Sequence, residues 1–169
     1  KVVKVIIVRG TVTATPSSGA SFKISKGTWL KEGTVLESSD RSFVKLYFID
    51  KSEMSLGPNS KLVITTFPKK DSGIITLMKG QLRSKVSKDY MGIKNKNKSK
   101  LFIKTRTAAM GVRGTHFQVN YNPMNQVTSL VTFEGSVAMA QISANILKPN
   151  QAALERIVSG DQAVLVKRG

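Results

Sequence analysis

The feature that most limits how this chain can fold is a two-residue rhythm. In FVKLYFI, Phe43, Lys45, Tyr47 and Ile49 alternate with Val44, Leu46 and Phe48, and Gln118 to Tyr121 keep the same beat. A strand turns successive side chains to opposite faces, whereas a helix repeats its apolar positions every three or four residues. Such segments recur at short intervals, separated by turn formers: Gly19, Gly27, Gly33, Gly57-Pro58-Asn59, Asp71-Ser72-Gly73, Gly80, Gly92, Asn122-Pro123, Gly135 and Ser159-Gly160-Asp161. The pattern predicts an all-β domain of many short strands in stacked, bent sheets, solenoid-like or sandwich-like. With 169 residues the chain can bury one real core, so residues 1–169 are read as a single domain.

Two segments echo one another. ITLMKGQLRSKV from Ile75 and LVTFEGSVAMAQ from Leu130 each place a glycine after a charged residue inside an alternating run. A strand bent sharply at glycine, with a second strand leaving the bend, produces that pattern. One segment, Asn150 to Val158, favours either a helix of one to two turns or an irregular crossover, since Ala and Leu support the first and Pro149-Asn150 suits its start. MGIKNKNKSK, residues 91–100, is the one low-complexity stretch and reads as a loop tip or a polycationic arm.

Composition narrows the function classes. There are 27 Lys and Arg against 10 Asp and Glu, a net charge of +17 that attracts polyanions without choosing among them. Lys predominates over Arg, which favours diffuse attraction over bidentate base or phosphate reading and disfavours nucleic acid as the partner. No aromatic residue interleaves the Lys run at 94–100, and single strands need such platforms. The chain has no cysteine, which excludes disulfides, thiolate nucleophiles and Cys-ligated metal. No apolar run approaches the ~20 residues that span a bilayer. KVVKVIIVRGTV at the start reads as a first strand, with any export signal expected outside these residues.

Several stretches together resemble the FecR-type domain, the periplasmic domain family named after the ferric citrate regulator. They are RGTVTAT (9–15), the segment from Ile24 to Ile64, LMKGQLRSKV (77–86), LFIKTRTAAMGVRGTHFQV (101–119), SLVTFEGSVAMA (129–140) and VSGDQAVLV (158–166). The most distinctive is a T-x-x-A-x-x-G-V-R-G-T-x-F-x-V strand. The resemblance implies an exported, non-catalytic, all-β domain used for sensing or docking in the bacterial envelope, with a protein partner or an anionic envelope polymer as ligand and no cofactor. In the best-known members the domain reads an outer-membrane transporter, and a cytoplasmic segment controls a sigma factor. No membrane helix or helical cytoplasmic segment is visible here, so that sigma-factor role is not carried over.

Within the signature, Gly111 and Gly114 are expected to let the backbone bend, while Thr115 and Phe117 join Val112 and Val119 in the core. Arg113 reads either as a partly buried guanidinium capping carbonyls at a bend or as a partner contact. His116, the only histidine, falls on the opposite face from Thr115 and Phe117 and reads as a surface imidazole. One histidine without cysteine cannot form the usual zinc shell, and no G-x-S-x-G, H-E-x-x-H or Walker-type motif occurs. The carboxylates lie at predicted turns or strand ends, so a glycan-active enzyme remains only an alternative that would need a pair the sequence does not display. Binding candidates come from the charge. Arg83 and Lys85 share one strand face, Lys104 and Arg106 another, and if the two strands pair through the loop bearing Lys94, Lys96, Lys98 and Lys100, they form one cationic strip. The same lysines would also keep edge strands apart.

Overall fold

The computed structural model describes residues 1–88, 98–143 and 149–169. Its chain passes back and forth between two sheets. β1 (Val3–Arg9) lies in the first sheet and β2 (Val12–Thr15) in the second; β3 (Phe22–Lys23) and β4 (Trp29–Leu30) are short edge strands of the second and first sheets respectively. β5 (Val35–Ser38) returns to the second sheet, β6 (Phe43–Phe48) and β7 (Glu53–Leu56) to the first, and β8 (Lys61–Thr66) to the second. β9 (Gly73–Lys85) belongs to both. Its first half pairs with β8 and with β10 (Leu101–Lys104), and its second half pairs with β7 and β12.

β11 (Ala108–Val112) continues the second sheet, β12 (His116–Asn122) and β13 (Val127–Glu134) complete the first, and β14 (Ser136–Gln141) and β15 (Val164–Lys167) complete the second. The first sheet therefore runs β4-β1-β6-β7-β9-β12-β13, and the second β3-β2-β5-β8-β9-β10-β11-β14-β15. All pairs are antiparallel except β9 with β10. The two echoed segments are the bent elements the sequence suggested. Gly80 turns β9 from one sheet to the other at φ +92°, and Gly135 turns β13 into β14 at φ +77°, backbone that a side chain would strain.

Alternation then fills the space between the sheets. Val44, Leu46 and Phe48 of β6 are buried, as are Met54 and Leu56 of β7, Leu82 of β9 and Phe117 and Val119 of β12. Each such aliphatic or aromatic side chain contributes roughly 1.5–3 kcal/mol by leaving water. The Phe48 and Phe67 rings meet at 5.0 Å.

The segment after Pro149 resolves to a helix, α1 (Gln151–Val158), with Asn150 Oδ1 accepting from the Ala153 amide at 2.9 Å. Eight residues are marginal as an isolated helix. This one is held by docking: Leu154 and Val158 pack on Ile74, Phe102 and Ala109, which point outward from the second sheet. Glu155 Oε2 also accepts from the Ser99 amide at 3.0 Å, so this carboxylate belongs to the helix and not to a turn.

Candidate functional site

The family-like signature works from the backbone outward. Thr105 Oγ1 accepts from the amides of Thr107 and Ala108, at 3.2 and 3.1 Å, and closes the turn between β10 and β11. Gly111 is buried within β11 without a left-handed backbone, so the expected bend does not occur there. Its role is close approach: a Cβ would meet Val158 Cγ2 at 2.8 Å, and only glycine lets α1 lie so near the sheet. Gly114, at φ +60°, makes the actual crossing from β11 to β12. Thr115 then turns inward, its carbonyl accepting from the Val86 amide at 2.8 Å, and Phe117 enters the core. Arg113 is exposed, beside Glu155 in an open cleft, and is not the partly buried cap that its position at the bend suggested.

His116 faces outward, half-exposed, on the outer side of the first sheet. There the register lines up one residue from every strand. Trp29 lies opposite Lys4, Lys4 opposite Tyr47, Tyr47 opposite Glu53, Glu53 opposite Lys85, Lys85 opposite His116, and His116 opposite Glu134. A second row sets Ile7 beside Lys45, Ser55, Arg83, Gln118 and Val131. Diagonal contacts tie the rows together. Lys45 Nζ is 3.0 Å from Glu53 Oε2, and Arg83 Nε donates to His116 Nε2 at 3.0 Å while its guanidinium lies 4.5 Å from the Phe133 ring centroid. The His116 and Phe133 rings meet tilted at 53°, their centroids 5.1 Å apart, and Lys4 Nζ sits 5.9 Å from the Trp29 ring centroid.

Burial, then the nearby Arg83 and Lys85 charges, holds the His116 pKa below the usual imidazole value, with Glu134 opposing. A neutral imidazole is what Arg83 needs as its acceptor. A cleft of about 360 Å³ opens along the first row between Tyr47, Glu53, Lys85 and His116.

Among the described residues no element lies over this face, whereas α1 covers part of the second sheet's outer face. Ile7, Trp29, Tyr47 and Val131 stand exposed on it among the charges. Alternation put Lys45 and Tyr47 on one strand face without saying which way it pointed, and the assembly of the rows from seven strands was beyond sequence reading. Lys4 and Trp29 had no signal of their own.

The expected cationic strip is not built. β9 and β10 run parallel and pair only at the far end of β9, where Lys104 stands opposite Thr76, while Arg83 and Lys85 lie beyond the Gly80 bend in the other sheet. Lys104 is half-buried, and burial lowers its pKa; Arg106 is exposed in the following turn. Lys94 and Lys96 lie outside the described residues, and Lys98 is exposed.

Lys100 is not a loop cation. It is buried, with Nζ 3.0 Å from Asp50 Oδ2 and donating to the Ser87 carbonyl at 2.7 Å. Asp50 in turn accepts from the amide and hydroxyl of Ser52, each at 2.9 Å, so this carboxylate is a buried clasp and more than turn chemistry. Among the described residues, no group of three His, Asp or Glu is placed to hold a metal, and no helix is long and apolar enough to cross a membrane.

The two-sheet frame and its open face define an all-β domain organised around one broad, charged and aromatic surface. The sequence matches the FecR protein family over residues 34–138, and the chain belongs to that family. Two crystal structures of a protein from Parabacteroides distasonis ATCC 8503, described as a "putative anti-sigma factor", share the fold with TM-scores of 0.58 and 0.57. Each is 12% identical over 79% of this chain and 51% of that one. This chain thus spans about half the length of that protein, and the likeness is one of fold. No curated protein matches the sequence.

Proposed function

We propose that this FecR-family domain is a non-catalytic docking module of the bacterial envelope, exported to its site of action, that binds an acidic surface of a protein partner through the outer face of its first sheet. Family membership and the anti-sigma-factor description of the P. distasonis protein support a regulatory or sensing role.

The observation that carries the reading is the open face itself. Lys4, Lys45, Arg83 and Lys85 outnumber Glu53 and Glu134 there, and Trp29, Tyr47, Ile7 and Val131 stand between them. Exposed aromatics and Arg ringed by other charges are the composition of protein interfaces, where a few desolvated anchors carry affinity and charge sets specificity and rate. A polymer drawn by charge alone needs no such anchors. Loss of water from Trp29 and Tyr47 would be repaid only by a partner with matching apolar ground.

The test compares baits against native envelope fractions: wild type, Trp29→Ala with Tyr47→Ala, Arg83→Ala with Lys85→Ala, and Lys104→Ser with Arg106→Ser. A protein retained by the wild type and by the last variant, lost by the other two and released by salt, supports the reading. Retention by every variant sinks it. Binding to wall or lipid polymers ranked only by their charge density would favour a polymer ligand instead.

A further inference from the structure

Among the described residues, three of the four outer strands are short and the fourth is long. β3 and β4 are two residues each, too short to template anything, and β15 has four residues and ends in Lys167. β13 is eight residues long, and its Val127–Phe133 stretch carries no charge and no proline. Among the described residues its backbone ladder is with β12 alone, while β15 lies close to it and the Thr132 hydroxyl donates to the Val166 backbone carbonyl at 3.0 Å. Natural edges are usually blunted by short length, lysine or proline, because unpaired amides and carbonyls accept any extended chain.

Apolar side chains gather around this edge. Val127 and Val131 are each 50% exposed, Val164 and Leu165 of β15 more so. From the N-terminal end of β13 an open groove of about 720 Å³ runs inward over the outer face, across β12 to β9, lined among others by Val127, Ser129, Asn120, Asn122, Asn125 and Gln81. Its carboxamides can both donate to and accept from a main chain.

We infer that the free edge of β13 is a strand-addition site, taking one extended segment of an acidic partner protein and lengthening the first sheet by a strand. This rests on the docking reading above and says how the partner is held. Main-chain hydrogen bonds would supply affinity, and alternate side chains of the added strand would meet Val131 on the outer face and continue its two rows. Charge selects the occupant. A second copy of this chain would bring +17 against +17, whereas an acidic segment meets Arg83, stacked on Phe133 at the C-terminal end of the edge.

The experiment selects short random peptides displayed on phage against the whole folded protein and maps the winners by backbone amide exchange. The inference predicts peptides with alternating apolar residues and Asp or Glu, slowed exchange at alternate residues of β13, and loss of binding at high salt. Proline is then placed separately at Ser129 and at Leu130. One of these amides belongs to the β12 ladder and the other to the free edge, so the variant with unchanged melting should lose the peptides. Enriched peptides that protect β6, β7 or β9 but not β13 would overturn the edge site and leave the face reading standing. Failure to enrich any peptide overturns it too, as does a self-dimer in sedimentation that the proline variant abolishes.

Discussion

Lys100 and Asp50, 50 residues apart in sequence, meet as a buried ion pair at 3.0 Å, each side chain no more than 5% exposed. The Ser52 and Ser87 hydroxyls complete the shell, since Ser87 Oγ lies 3.0 Å from Lys100 Nζ and the Ser87 amide donates to Ser52 Oγ at 3.0 Å. The β6–β7 turn is thereby clamped to the end of β9 and the start of β10. Removing one partner leaves a buried charge unanswered, so Lys100→Met or Asp50→Asn should each cost about 3–5 kcal/mol in denaturant unfolding. Replacing both together with apolar residues should recover much of the loss. Lys98→Ser, at an exposed position, should change stability by less than about 0.5 kcal/mol.

The outward and inward neighbours of the signature should separate cleanly. Phe117→Ala removes a wholly buried ring and should cost roughly 3–5 kcal/mol, while His116→Ala should stay under about 1 kcal/mol. Thermal or denaturant melts of the two variants suffice. Metal bound to the purified protein, or a large loss at His116, would contradict this assignment.

His116 should also report on pH. Its folded pKa is depressed by burial and by Arg83 and Lys85, so the folded state binds fewer protons than the unfolded one just below the ordinary imidazole value of about 6.5. The contribution is therefore present above that value and is lost as pH falls through the lower folded pKa. Protonation would also set an imidazolium against the Arg83 guanidinium and break their 3.0 Å hydrogen bond. An NMR titration of the imidazole should give a midpoint below 6.5, moving up in Arg83→Ala. A midpoint above it in the wild type would refute the geometry.

Gly111 and Gly114 should fail differently. Gly111→Ala pushes a methyl toward Val158 and Ser99, so it should loosen α1 first, seen as faster amide exchange across Gln151–Val158. Gly114→Ala meets only the flexible Lys88 side chain but forces alanine to φ +60°, a strain of about 1–2 kcal/mol that should lower the melting temperature while leaving α1 docked.

Much of the frame was legible in the residues because strand alternation is local: the Cβ direction reverses at each residue whatever the rest of the chain does. Val44, Leu46 and Phe48 could be set on one face and Lys45 and Tyr47 on the other from their spacing alone. The bends at Gly80 and Gly135 were legible for the same kind of reason, since glycine after a charged residue inside an apolar run has few other uses. Beyond the family resemblance, the binding residues were legible only as charge. Lys85, Lys100 and Lys104 look alike in sequence, yet one lies on an open face, one is sealed against Asp50 and one is half-buried beside the other sheet's strands. Those fates depend on which distant strand each meets.

By itself, then, the sequence determined the all-β class, the alternating faces of its strands, the bent segments and the family. Only the tertiary structure decided that Trp29, Lys4, Tyr47, Glu53, Lys85, His116 and Glu134 stand in one row, that α1 docks on the second sheet, and that β13, among the described residues, forms its backbone ladder with β12 alone. Periodicity specifies a face, but register and pairing order are long-range choices made by burial and by hydrogen bonds between strands far apart in the chain.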